Sequence, residues 1–251
     1  MFELIQLEHR AYAPSVRLVS VDLFDTLLLR GTRPELDRFH DIAARWHQRL
    51  LARNLNSPGV EALYRCRLTE HKLAYDRIKS QDGQGEVRQE VILGSIARRL
   101  QLTDAAVPIL AATEIAYETA AVTVNAGLAT LLIRLRREKP VVFTSDMYLS
   151  GQALAGIMAA LVPELADLPL YVSSDLGRTK RHGTLFSHLV SVSSLEPRDI
   201  LHVGDNPVSD FAQPRAAGLN AMLLPRSLGW RILHGLRHNR SRNRLKRTIE
   251  P

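Results

Sequence analysis

Five short apolar runs, four of them closed by a polar cluster, constrain this chain more than any other feature. Residues 16–21 run into Asp22, and residues 141–143 run into Thr144, Ser145 and Asp146. Residues 170–172 lead to Ser173, Ser174 and Asp175, and residues 200–203 lead to Gly204, Asp205 and Asn206. The fifth run, 221–224, stops at Pro225. Runs this short, rich in Val, Leu and Ile and nearly free of polar alternation, suit strands buried on both faces, as in a parallel sheet. Helical patterns occupy residues 127–137, 152–161, 184–192 and 208–217 between them. The alternation predicts an α/β fold: a doubly wound parallel sheet covered by helices.

That order is interrupted once. Residues 32–125 hold no convincing strand, but helical spacing recurs over 35–55, 60–79, 86–100 and 103–119. Pro58-Gly59 and the stretch from Gln81 to Gly85 read as turns. The expected organisation is therefore an α/β core over 11–31 and 126–225, an inserted all-helical subdomain over 32–125, and a basic tail over 226–251.

Open α/β sheets bind ligands outside the carboxyl ends of their strands. The first run delivers Asp22 there, with Thr26 four residues on, and the second delivers Ser145. The loop after the third leads to Lys180, and the fourth delivers Asp205, with Asp210 five residues later. Three carboxylates brought together repel one another unless a cation sits among them. Oxygen donors without His or Cys favour Mg²⁺, which keeps waters and a substrate phosphate oxygen in its shell. Ser145 and Lys180 add a hydroxyl and an ammonium complementary to a phosphoryl group. A carboxylate in such a setting can attack phosphorus and divide the displacement into two steps.

The segments VSVDLFDTL (19–27), FTSD (143–146), Thr179-Lys180 and HVGD (202–205) through Asp210 resemble, in order, the four motifs of the haloacid-dehalogenase-like (HAD) hydrolases. The likeness spans roughly residues 15–225, and the helical insertion falls where that superfamily places a C1-type cap. The resemblance implies a Rossmann-like core and a Mg²⁺-dependent phosphatase of a small phosphorylated metabolite. Asp22 would be the nucleophile that becomes an aspartyl-phosphate, steadied by Thr26. Ser145, Asp146 and Lys180 would bind the phosphoryl group, with Thr144 a rival to Ser145 and Arg178 or Arg181 rivals to Lys180. Asp22, the backbone carbonyl of Phe24, Asp205 and Asp210 would hold the metal.

One position departs from the pattern. Phosphatases of the superfamily usually carry a second Asp two residues after the nucleophile, as acid and base; here that position is Phe24, and Asp25 is displaced by one. Losing a general acid or base costs about 10²–10⁴-fold in rate. Asp25 reads better as a turn residue tolerant of left-handed backbone angles than as a displaced acid. The departure leaves open a good leaving group, an acid from cap or substrate, phosphonatase-like or other HAD hydrolysis, or a catalytically weak accessory or scaffold domain. Carbon–halogen hydrolysis needs no Mg²⁺, and the Asp205/Asp210 pair argues against it.

Elsewhere the readings are plainer. Arg67, Glu70, His71, Lys72 and Tyr75 read as a solvated helix face with i,i+4 pairs, and Glu114 and Glu118 as a second polar row. The single cysteine, Cys66, reads as a small core residue and cannot form an internal disulfide, which points to a reducing compartment. With no secretory pattern at the start and no apolar run near the ~18 residues of a membrane span, a cytoplasmic location is expected. The net charge of +7 is concentrated: residues 226–251 contain eight of the 33 basic and one of the 26 acidic residues, leaving the rest neutral. Nucleic-acid binding is therefore not expected. The tail reads as a solvated extension, or as a contact for an acidic surface or protein partner.

Overall fold

The computed structural model describes residues 2–81 and 85–249, without the side chains of 81 and 247–249. The chain divides into two compact units. The first comprises residues 1–29, 81–88 and 122–226, and the second residues 30–80, 89–121 and 227–251.

The first unit is built on a five-stranded sheet of β1 (Leu18–Asp22), β4 (Val141–Ser145), β5 (Leu170–Val172), β6 (Ile200–Gly204) and β7 (Asn220–Leu223). Its strand order is β5-β4-β1-β6-β7, and every pairing is parallel. The order reverses at β1, flanked by β4 and β6, so the switch point of the sheet lies beside Asp22. β1, β4 and β6 are buried along their whole length, as their unbroken apolar runs require. Helices α6 (Ala126–Leu135), α7 (Gly151–Leu161), α8 (Ser173–Leu176), α9 (Thr184–Ser193) and α10 (Gln213–Ala216) connect the strands. Asn125 and Ser150 cap α6 and α7, accepting from the amides of Leu128 and Ala153, which satisfies donors that each helix start leaves open.

Three features depart from expectation. Residues 2–11 form a helix, α1 (Phe2–Ala11), which buries Leu7 and Ala11. The helix expected over 208–217 instead begins with a π-turn, Pro207–Ala212, whose wider coil precedes α10. A short two-stranded sheet pairs β2 (Leu28–Arg30), just before the stretch that lacked strand signals, with β3 (Val122–Val124) at the end of that stretch. Three-residue strands are too short for a period-two pattern to register.

The second unit is helical: α2 (Glu35–Leu51), α3 (Val60–Gln81), α4 (Gln89–Arg99), α5 (Ala106–Ala121) and α11 (Leu228–Ile249). The turn expected from Gln81 to Gly85 falls largely on residues 82–84, outside those described. Phe39, Ile42, Trp46, Leu50, Leu63, Ile92, Ile96 and Leu110 form its core, and the Trp46 indole N–H donates to the Leu110 carbonyl at 2.8 Å. Cys66 is buried, and burial pushes its thiol up to about 11.

The solvated-face reading of α3 fails at Arg67. This side chain is fully buried, donates to Glu114 at 2.9 Å and lies over the Phe39 ring. Gln89 gives the other Glu114 oxygen a hydrogen bond at 2.8 Å, and Arg38 and Arg30 pair with buried Glu118. The polar row is an internal network: burying ions requires partners, and these lie on other elements of the fold, beyond the reach of an i,i+4 argument. The solvated-extension reading of 226–251 also fails, because residues 228–249 form α11, which is bonded to its unit through Trp230, Arg237 and Ser241. No helix among the described residues is long and apolar enough to cross a membrane.

Candidate active site at the sheet edge

β1 ends at Asp22, and the chain then turns tightly. Amides of Leu27 and Leu28 donate to the Leu23 carbonyl, and the Asp25 amide to that of Leu28. Asp25 takes the left-handed conformation, with φ 64°, which Asp tolerates better than most residues. Its carboxylate pairs with Arg226. Asp25 is thus a turn residue already held by a cation. Asn125 secures the far side of the loop, donating to the carbonyls of Thr26 and Leu27 through its side chain and backbone. Phe24 is buried and forms a bridge to Leu28.

This loop places the Thr26 hydroxyl 2.8 Å from Asp22 Oδ2. Lys180 Nζ donates to the other oxygen, Oδ1, at 2.5 Å, and to Asp210 Oδ1 at 2.6 Å. All three side chains are buried. Arg178 and Arg181 are exposed, so the buried cation is Lys180. Asp205, at the end of β6, completes a cluster with Asp22 and Asp210 in which one carboxylate oxygen from each lies within 4.8 Å of the others.

Asp146 has a structural role that the sequence did not suggest. Its two oxygens accept from the backbone N–H groups of Lys180 and Arg181 at 2.7 and 3.0 Å. It therefore holds the loop that delivers Lys180, a job set by a segment 34 residues away that local spacing does not reveal. Ser145 is buried at the end of β4. Thr144, its rival, is tied inside the sheet, with its hydroxyl 3.2 Å from that of Ser20.

A second layer lies beneath the carboxylates. Ser20 on β1 contacts His202 Nδ1 at 3.0 Å, and His202 Nε2 is 3.2 Å from Asp210 Oδ1. Asp210 Oδ2 accepts from the Asn206 amide at 3.0 Å. Gly204 matters here because an added Cβ would overlap the Asp210 carboxyl group. Ser20 and His202 are register partners across β1 and β6. The only sequence signal for them was a polar residue inside an apolar run.

Burial is the main influence on the Asp22 carboxyl and pushes it up to about 8; Asp210 and Asp205 add to this and Lys180 opposes it. Burial, then Asp25 and Asp210, raise Asp205 to about 6. Burial acts in the same sense on Asp210, but the Lys180 ammonium and the His202 contact outweigh it and hold that carboxyl below the usual range. Lys180 is raised: burial disfavours its charge, but Asp22 and Asp210 favour it more strongly. One ammonium thus partly offsets three carboxylates, and two of the three resist ionisation. An all-oxygen donor set with excess negative charge fits a hard divalent cation such as Mg²⁺. Asp22, Asp205, Asp210 and the Phe24 carbonyl are the candidates to hold it.

No family model and no curated protein matches the sequence. Solved structures do match. A 2-haloacid dehalogenase from Pseudomonas syringae pv. tomato superposes with a TM-score of 0.56 at 20% identity, covering 83% of this chain and 86% of its own. A HAD-family enzyme from Bacteroides thetaiotaomicron gives 0.57 at 14% identity, covering 87% and 98%. A variant of that enzyme, in complex with magnesium and inorganic phosphate, gives 0.51 at 10% identity, covering 83% and 93%. The chain has the HAD-like α/β fold with helical additions, as its motif order led one to expect.

Proposed function

We propose that this protein hydrolyses phosphate monoesters of a small molecule through an aspartyl-phosphate on Asp22. The observation that carries the reading is the buried Lys180 ammonium, 2.5 Å from Asp22 and 2.6 Å from Asp210, with Asp205 in the same carboxylate cluster. A cation fixed beside a buried carboxylate can neutralise the charge that builds up as a phosphoryl group meets an anionic nucleophile. That a structural neighbour binds magnesium and phosphate supports the reading.

In the proposed reaction an Asp22 oxygen bonds to phosphorus as the bond to the ester oxygen breaks, and the departing oxygen takes up a proton. Water then attacks the same phosphorus, releasing phosphate and restoring the carboxylate. Thr26 holds Oδ2 and leaves Oδ1, beside Lys180, to attack. Ser145 donates to a phosphoryl oxygen. Asp146 keeps Lys180 in place. Mg²⁺, when bound, would keep the carboxylates ionised near neutral pH and screen the phosphoryl charge.

Phe24 shapes the substrate preference. With no carboxyl group at that position, the leaving oxygen departs with little help, so aryl, enol or acyl phosphates should outpace alkyl phosphates. Phosphate release across a series of substituted phenyl phosphates, with and without Mg²⁺, tests this. No turnover of any ester, together with no tight binding of beryllium fluoride, would sink the proposal. Phe24 also favours one rival, carbon–halogen hydrolysis, which needs an aspartate nucleophile but no such acid. Halide release from 2-haloacids without phosphate release from esters would establish it instead.

A further inference from the structure

Helix α11 has two unlike sides. One is bound into its own unit: the Trp230 indole N–H donates to the Arg30 carbonyl at 3.0 Å, Arg237 reaches Thr32, and Ser241 donates to Asp37 at 2.7 Å. Residues 230, 237 and 241 follow helical spacing along that side. The other side carries Leu228, Ile232 and Leu236, spaced four apart, which are 63%, 56% and 53% exposed. Leu233 flanks them at 43%. Exposed Arg231, Arg240, Arg242 and Lys246 surround this stripe. Between Leu228 and Ile249 there are seven basic residues and no acidic one.

From this arrangement we propose that the outward face of α11 docks on an anionic phospholipid surface. An aliphatic stripe inside a ring of cations matches the boundary between acyl chains and anionic headgroups. Charge complementarity selects the occupant. The rest of the chain is neutral, so the field that draws the molecule to a surface comes from this segment alone. Nucleic acid would leave the three aliphatic side chains against phosphates, and the face offers no aromatic platform for bases. The helix lies parallel to the surface with Leu228, Ile232 and Leu236 at the acyl boundary, while Trp230, Arg237 and Ser241 keep their contacts with the protein.

The test is flotation of the full chain with vesicles of phosphatidylcholine, alone or with about 30% phosphatidylglycerol. Binding should rise at least about tenfold with the anionic lipid, and should fall by a similar factor in about 0.5 M salt as the charges are screened. The double variant Ile232→Asp/Leu236→Asp should lose binding. Its thermal midpoint should stay near that of the parent, since both side chains are more than half exposed. Arg240→Gln/Arg242→Gln should weaken binding without abolishing it. Equal binding to neutral vesicles, binding unaffected by the Asp substitutions, or no binding at low salt would each overturn the proposal. So would retention of the chain by an acidic protein when vesicles fail to hold it.

Discussion

Lys180 is the residue on which the geometry of the site depends most. Its ammonium is buried with two carboxylates, and breaking such a pair from one side costs about 3–5 kcal/mol because the remaining charge has no partner. Lys180→Met should therefore lower stability by that order in urea denaturation, and Mg²⁺ should restore more of the loss than it adds to the parent. Asp22→Asn differs: the amide keeps an oxygen for the Thr26 or Lys180 hydrogen bond but cannot attack phosphorus. Turnover should fall by about 10⁴-fold or more while the thermal midpoint changes little. Activity retained in Asp22→Asn would refute the mechanism even with the fold intact. Asp22, Thr26, Lys180, Asp205 and Asp210 could be placed together from sequence because each follows the end of an apolar run, and strand ends share one edge of a sheet. The true partners of Asp146, and the row Thr144–Ser20–His202, could not. They depend on which strands are neighbours and on how a loop folds back, and local spacing carries neither.

Among the elements, α3 and α5 are joined by a buried ion pair. Arg67 and Glu114 are both fully buried. His71 adds a pH dependence to that pairing. It lies 3.2 Å from the Arg67 guanidinium through Nδ1 and packs against Phe39 and Tyr75. A guanidinium can only donate, so this Nδ1 must accept and the ring must be neutral. Burial first, then the Arg67 charge, lower the His71 pKa to about 4. The unfolded chain protonates this ring near the ordinary imidazole value of about 6.5, so it binds more protons than the native state between those values. Stability should consequently fall as pH drops from about 6.5 to 4, by up to about 2–3 kcal/mol. In His71→Gln the decline over that window should be shallower when unfolding is followed in urea at several pH values; an unchanged decline would remove His71 as its source. The four helices of this region were readable from their periodicity, but the polar side chains between them looked like a wet surface. Periodicity marks which residues share a face, and it cannot say that the face meets another charged one. α11 was obscured for a related reason: its basic composition resembles a disordered segment until the Trp230, Arg237 and Ser241 contacts are known.

For the whole molecule, the two units have separate cores and separate charged centres. The carboxylate cluster lies wholly within the first, and the Arg67–Glu114–His71 network wholly within the second. A ligand stabilises only the structure that binds it, by RT ln(1 + [L]/Kd), or about 2.7 kcal/mol at a hundredfold excess over Kd. Scanning calorimetry should therefore resolve two components that respond to different variables. Mg²⁺ should raise the component belonging to the sheet, and Asp205→Asn, by removing one carboxylate, should blunt that response. Lowering the pH from about 6.5 to 5 should depress the helical component, and His71→Gln should protect it. The two variants identify the components without dissecting the chain, because each acts on a group that belongs to one unit only. A single endotherm that Mg²⁺ and His71→Gln both shift as a whole would mean that the units unfold together. Two endotherms of which Mg²⁺ moves neither would instead remove the metal from the carboxylate cluster. That result would leave Asp22 and Asp210 to be offset by the Lys180 ammonium paired with both, and would favour the halide-releasing alternative over phosphoryl transfer.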